Sequence, residues 1–314
     1  MKLICYCCLV TSLLLASRAG AQAAPELRLG DLEMTVIQSG TPTLTYAYRG
    51  VPFKPYVRAW VTPSGVNPLR DAPHDHLHHH ALMFAIIADD IDFWAETPTC
   101  GKQVHRGWSD VRVVSENGIS RAAFTERLEW VPAKDLPVAV VEYRTVETLT
   151  AEDIDASLLT WTSRIELPPG KAAATLTGHH YHGLGMRFVE AMDKGGAFRF
   201  GAPGEGEVVR GDERLTPGPW CAYTARIDGK PVTAAMFDHP GNPRPVLWFT
   251  MQTPFSYLSA TVNLWREALE VTRESPVTFR YGVAIWDGET PTERTEAIYQ
   301  RWRALASFSE GEGY

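Results

Sequence analysis

Leu159-Thr160-Trp161-Thr162-Ser163-Arg164-Ile165-Glu166-Leu167 is the stretch that decides the fold class. In an extended chain Leu159, Trp161, Ser163, Ile165 and Leu167 share one face, and Thr160, Thr162, Arg164 and Glu166 share the other. A period of two is that of a strand with one face buried. Working outward, Ala122, Phe124, Leu128 and Trp130 alternate with Arg121, Thr125, Arg127 and Glu129, and residues 138–149 repeat the pattern with Val141 and Tyr143 in register. Glu116-Asn117-Gly118, Pro168-Pro169-Gly170 and Asp228-Gly229-Lys230 separate the runs with turn residues. Long strands joined by short turns predict a mainly β protein, a large antiparallel β-sandwich.

One stretch reads as a helix. Thr290-Pro291-Thr292-Glu293 supplies an N-cap, a first-turn proline and a capping-box glutamate, followed by Ile298, Trp302 and Leu305 at helical spacing. This C-terminal helix is expected to lie on the sheet as a lid. Residues 195–219, rich in Gly and Pro, read as a long loop bordering a pocket.

Residues 1–23 have the order of a cleavable signal peptide: Lys2, an apolar run to Ala16, then small residues through Ala23. The run is too short for a membrane span, which needs about 20 residues. Removal leaves residues 24–314 as one expected domain, with Cys100 and Cys221 the remaining cysteines, either paired or free. It also takes Lys2 and Arg18, so the formal net charge of -7 becomes more acidic. No basic stripe is left for nucleic acid. The expected setting is periplasmic or secreted, and the expected partner a small molecule or oligosaccharide.

The densest chemistry lies in Pro73-His74-Asp75-His76-Leu77-His78-His79-His80. In extended backbone His76, His78 and His80 would face one side and His79 the other, giving two ligands or two proton carriers to one pocket. The alternative is a surface loop of solvated histidines. A second cluster, Gly178-His179-His180-Tyr181-His182-Gly183, follows Leu176, so His180 and His182 would share that residue's face. Imidazoles from the two clusters are expected to converge, either as acid and base groups or as a site for a single divalent metal with His76, His78, His180 and His182 as ligands. No spacing here is a known metal fingerprint.

Asp92-Phe93-Trp94-Ala95-Glu96 and His105-Arg106-Gly107-Trp108 combine carboxylates, an arginine and tryptophans, the mixture a sugar site uses. Core packing is the plainer reading of either tryptophan. Asp238-His239-Pro240-Gly241-Asn242-Pro243-Arg244 reads as an ordered loop, either ligand-binding or closed on its own backbone. Arg187 either faces the pocket or pairs with Glu190.

These motifs, with Lys54-Pro55-Tyr56-Val57, Thr62-Pro63-Ser64-Gly65, Leu82 and Phe84, Tyr181-His182-Gly183-Leu184-Gly185 and Phe237-Asp238-His239, make the mature chain resemble the PmoA-like family of bacterial exported proteins. His80 and Ala81 stand where that family usually shows Arg-Gly. The family's "methane oxygenase" label fails a physical check, because such a subunit is an integral membrane protein and this chain has no apolar run of about 20 residues. The resemblance implies an accessory protein of sugar catabolism, with a fold similar to the galactose-mutarotase sandwich.

The expectation is therefore an exported carbohydrate-active protein. As an enzyme of epimerase, lyase or hydrolase type it would use His76, His79, His180, His182 and Glu96 in catalysis. Asp75, His78, Trp94, Arg187, His239, Asn242 and Arg244 would bind a sugar or oxidised sugar. A metal-dependent enzyme and a non-catalytic glycan-binding protein are the two alternatives.

Overall fold

The computed structural model describes residues 24–134, 136–289 and 291–308, with side chains as far as residue 306. The signal-peptide segment and the Thr290 cap lie outside these residues. All strand pairings are antiparallel. The long strands Lys102–Glu116, Ile119–Val131, Val140–Ala151 and Ser157–Glu166 lie side by side in an eight-stranded sheet that continues through Val277–Asp287, Lys230–Asp238, Trp220–Ile227 and Ala197–Phe200. Asn117 and Gly118, and likewise Asp228 and Gly229, take positive φ in the hairpin turns of this sheet, as two-residue turns matching strand twist require.

A ten-stranded sheet faces it. Its central strands are Tyr56–Trp60, Leu82–Ala85, Gly183–Arg187, Tyr257–Thr261 and Leu247–Met251. A small four-stranded sheet holds Leu269–Thr272, Ala173–Thr177, Ile87–Ala88 and Ile91–Asp92.

The alternation decides what each face does. Leu159, Trp161 and Ile165 enter the core between the sheets, where they join Phe84, Leu184, Leu258 and Trp248 from the ten-stranded sheet. Phe84 meets Phe279 across the gap at 5.5 Å between ring centroids, and Tyr46 meets Phe124 at 5.1 Å. The other face of Ser157–Glu166 is covered by the helix Thr292–Phe308, whose Ile298, Trp302 and Leu305 pack on Leu158, Phe237 and Trp286. Trp302 donates its indole N–H to Thr160 at 3.0 Å, so the helix is a lid on the outer face of the eight-stranded sheet.

One expectation is corrected, one open alternative is decided, and one motif finds a structural role. Residues 195–219 are not one loop: they hold Ala197–Phe200, Glu207–Arg210 and Glu213–Pro217. Alternation there is broken by Gly201, Gly204 and Gly206, which hid the strands. Cys100 and Cys221 are both buried and free. Thr62 and Ser64 are structural, because both side chains bind the Asp287 carboxylate, at 2.9 and 2.6 Å, and so tie a loop to the end of Val277–Asp287.

Candidate functional site

The outer face of the ten-stranded sheet carries a second apolar layer. On each central strand the residues between the core positions point outward: Met83 and Ala85, Phe249, and Tyr257, which join Tyr56, Trp94 and Phe255. Glycines make room for it. A Cβ at Gly185 would lie 1.9 Å from the Tyr257 hydroxyl and 3.0 Å from Trp94, so only glycine lets those rings settle against the strand.

On this layer opens a cavity of about 440 Å³, within the usual range for small-molecule sites. His76, His78, His79 and Phe255 form one wall; Tyr181, Arg210 and Glu213 form the other; Tyr257 and Phe249 lie between. The histidine loop is not extended. The amide of His76 bonds Pro73 O and that of His79 bonds His76 O, both at 2.9 Å, and these turns bring His76 and His79 together at 4.7 Å between ring centroids, with His78 4.4 Å from His79. His80 is thereby turned away. The period-two reading put His76, His78 and His80 on one side; the turns instead group His76, His78 and His79.

His80 enters a buried chain of charges. Its Nδ1 lies 2.8 Å from Asp71 and its Nε2 2.8 Å from Glu96, whose same oxygen accepts from Lys54 at 2.7 Å. Tyr56 stacks on the ring at 4.1 Å and donates to Asp71 at 2.7 Å. Burial alone would lower the His80 pKa, but the two carboxylates outweigh it and the net shift is upward. Burial would raise Glu96, but His80 and Lys54 pull it below the usual carboxylate range. Glu96, expected to be catalytic, is thus taken up by Lys54 and His80 and does not line the cavity.

Among the buried polar atoms without a hydrogen-bond partner are His79 Nδ1, His182 Nδ1, Trp94 Nε1 and the Tyr257 hydroxyl of this outer layer. His79 faces Tyr257 at 5.1 Å between centroids, and His182 stacks on Trp94 at 4.9 Å. Burial, then the fields of His78, His76, Arg187 and Lys54, push the His79 pKa down to about 2. Burial likewise takes His182 well below its ordinary value, and lowers His78 more mildly. His79 and His182 are therefore neutral imidazoles at neutral pH. Burial raises the Tyr257 hydroxyl well above its usual range, so it stays protonated.

The second histidine cluster arrives differently from the expectation. Leu176 lies in the core between the sheets. Residues 178–182 form a turn, closed by His182 N to His179 O at 3.1 Å, so His180 and His182 do not share its face. His180 points to Glu213 at 3.2 Å, beside the cavity, while His182 lies behind it on Trp94. The four proposed metal ligands therefore do not meet. Among the described residues no three His, Cys, Asp or Glu side chains gather as a metal-holding group.

Several expected binding residues are structural. Arg187 is buried, bonds Asp193 and Ser256 O at 3.0 Å each, and lies 3.9 Å over the Phe255 ring, which it supports from behind; its partner is not Glu190. Asn242 bonds Asp238 at 2.8 Å and both backbone groups of Arg280, Arg244 caps the carbonyl of Glu267 at 2.8 Å, and His239 lies against Trp302 at 5.9 Å. That loop is thus anchored to the eight-stranded sheet and the helix, away from the cavity. Asp92 accepts from the amides of Trp94 and Ala95, fixing the turn that presents Trp94. Trp108 packs on Tyr48 and Phe124 as core. Asp75 is exposed at the rim, 3.2 Å from His76 Nδ1. Sequence reading missed Arg210, Glu213, Phe249, Phe255 and Tyr257; a buried carboxylate inside a supposed loop has no local signature, and the aromatics read only as core.

The fold and site define a β-sandwich protein with a histidine and aromatic pocket on the outer face of its larger sheet. By sequence the chain belongs to a family of unknown function, DUF6807, which matches residues 33–300. No curated protein matches it. Among solved structures it is similar to the GH36 alpha-galactosidase AgaA from Geobacillus stearothermophilus, with 10% identity and a TM-score of 0.42 over 84% of this chain. It spans 41% of that protein. It is also similar to the protein HI1317, with 8% identity and a TM-score of 0.33 over 84% of this chain and 100% of that one. Among the described residues no helix is long and apolar enough to cross a membrane.

Proposed function

We propose that this is an exported carbohydrate-active protein that binds a sugar or oxidised sugar in the outer pocket and acts on it by proton transfer. The observation that carries the reading is the set of buried, unpartnered polar atoms gathered on an aromatic layer. A buried donor or acceptor without a partner costs about 1–3 kcal/mol, and a fold that leaves two of them, on His79 and Tyr257, in the lining of one cavity, with those of Trp94 and His182 just behind, is shaped for a ligand rich in hydroxyls. Aromatic rings suit the C–H faces of a sugar ring. The motifs that carry the PmoA-like resemblance around His76 to His79 and around Tyr181 to Gly185 meet at this pocket.

Roles follow from protonation. His79, neutral, can donate or accept at a substrate oxygen, as neutral imidazoles do when polarising a carbonyl. His78 on the same wall, and the Glu213–His180 pair on the other, are the groups placed for proton transfer from two sides. Tyr257 offers a hydroxyl from the floor. Among the described residues no three-ligand group gathers to hold a metal.

Calorimetric titration of the whole protein with monosaccharides, aldonates, uronates and short oligosaccharides, with product analysis, tests the reading. Binding by the wild type that is lost in His79→Ala, together with a product, is expected. Binding without product over the panel would leave a glycan-binding protein. No binding to any carbohydrate would overturn the assignment of this pocket. Export is tested separately, by N-terminal sequencing of periplasmic protein: a start near residue 24 is expected.

A further inference from the structure

A second group of buried ionisable residues lies between the two sheets. Arg144 is fully buried, gripped by Glu142 at 2.9 and 2.7 Å, and donates to Pro55 O at 2.8 Å and Gln103 at 2.7 Å. Glu126, also fully buried, accepts from the Tyr46 hydroxyl at 2.5 Å and lies 2.6 Å from His105 Nδ1. Arg144 also reaches the Tyr46 hydroxyl at 3.4 Å, so Tyr46 links the two carboxylates' surroundings. Burial raises the Glu126 pKa, against the pull of His105 and Arg144.

His105 is also where this network meets a cavity. A space of about 250 Å³ is lined by His105, Gln103 and Lys102 on one side and by Tyr48, Arg49 and Phe53 on the other. The His105 ring is held between Tyr48, at 4.7 Å, and Trp108, at 5.0 Å. With Nδ1 committed to Glu126, Nε2 is the atom left for a ligand; the bond made by one ring nitrogen sets the role of the other. Two cations stand on the lining. Lys102 Nζ lies 4.9 Å over the Phe53 ring and the Arg49 guanidinium 5.5 Å over the Tyr48 ring, and among the described residues neither is ion-paired with a carboxylate.

We propose that this cavity is a second binding site, taking a small oxyanion, a carboxylate or a phosphate, between the cations Arg49 and Lys102, with His105 Nε2 beside it. The buried Glu126 holds the imidazole in orientation, Tyr46 holds Glu126, and Arg144 holds Tyr46. The apolar wall of Phe53 and Tyr48 lets the anion be the charged end of a larger organic molecule. This site is independent of the outer pocket, so its test stands whatever the outer pocket binds.

The experiment is a titration of the whole protein with inorganic phosphate and, separately, with glucuronate, at constant ionic strength, followed by the ring nitrogen resonances of His105. A saturable shift at Nε2 is expected with one or both anions, and which of them gives it distinguishes phosphate from carboxylate. The Arg49→Ala/Lys102→Ala variant, altered only at exposed side chains, is expected to bind about tenfold more weakly or worse. His79→Ala is expected to bind normally. No saturable shift up to about 10 mM, an equal shift with chloride, or unchanged affinity in the double variant would overturn the proposal.

Discussion

Polar side chains are buried in two places, between the sheets and on the outer face of the ten-stranded sheet, and the two places treat them oppositely. Between the sheets, Glu142 accepts from Arg144, Ser163 and Trp130, the last two at 2.6 and 2.9 Å, and Gln103 bonds both Arg144 and Phe84 O. On the outer face, His79, His182, Trp94 and Tyr257 each leave a buried polar atom unbonded. The same desolvation cost applies to both. In the interior it is met within the fold, and on the face it is left for something else to meet. Burial by itself therefore does not mark a site; burial without partners does.

The contrast breaks first at Arg144. Arg144→Met would leave the buried Glu142 carboxylate without its guanidinium and should cost about 3–5 kcal/mol, read from urea unfolding; a loss below about 1 kcal/mol would mean the interior network is not a closed unit. His79→Ala should do the reverse. Turnover should fall by about 10² to 10⁴ while the unfolding midpoint barely moves, and a large stability loss with activity retained would make the face structural.

His79 and His80, adjacent in sequence, sharpen the comparison through pH. The folded-state pKa of His79 lies below its unfolded value, so the unfolded chain binds the extra proton and stability is lost as pH falls below about 6.5, by about 1.4 kcal/mol per unit. His80 has the opposite sign. Its raised pKa gives stability that is complete below about 6.5 and lost as pH rises through the folded value. His79→Asn should flatten the acid limb and His80→Asn the alkaline one, in melting curves from pH 5 to 9; exchanged effects would sink the assignment. The smallest effect is expected at Tyr257. Tyr257→Phe removes an unpartnered hydroxyl, so the fold should hold or gain slightly while ligand affinity drops by about 1 kcal/mol.

Much of the fold was legible because period-two alternation in residues 119–166 reports burial directly, and the helix carries its own start signals at Pro291 to Glu293. The site was legible in composition but not in arrangement. Five histidines between His74 and His80 announced chemistry, yet which of them meet depends on two backbone turns that period-two reasoning cannot anticipate. Glu96 and Arg187 looked functional because charge is visible in sequence, whereas their partners Lys54 and Asp193 are brought close only by tertiary folding. Tyr257 was invisible for the converse reason. An aromatic in a strand has the same pattern whether it faces a core or a ligand.

Gly185 has a consequence for how related chains will vary. No larger residue fits there while Tyr257 keeps its ring against the strand, so the two positions constitute one inherited decision. Relatives with a side chain at the first should have lost the tyrosine at the second, and the two alleles should travel together across the family more faithfully than either does with its neighbours in sequence.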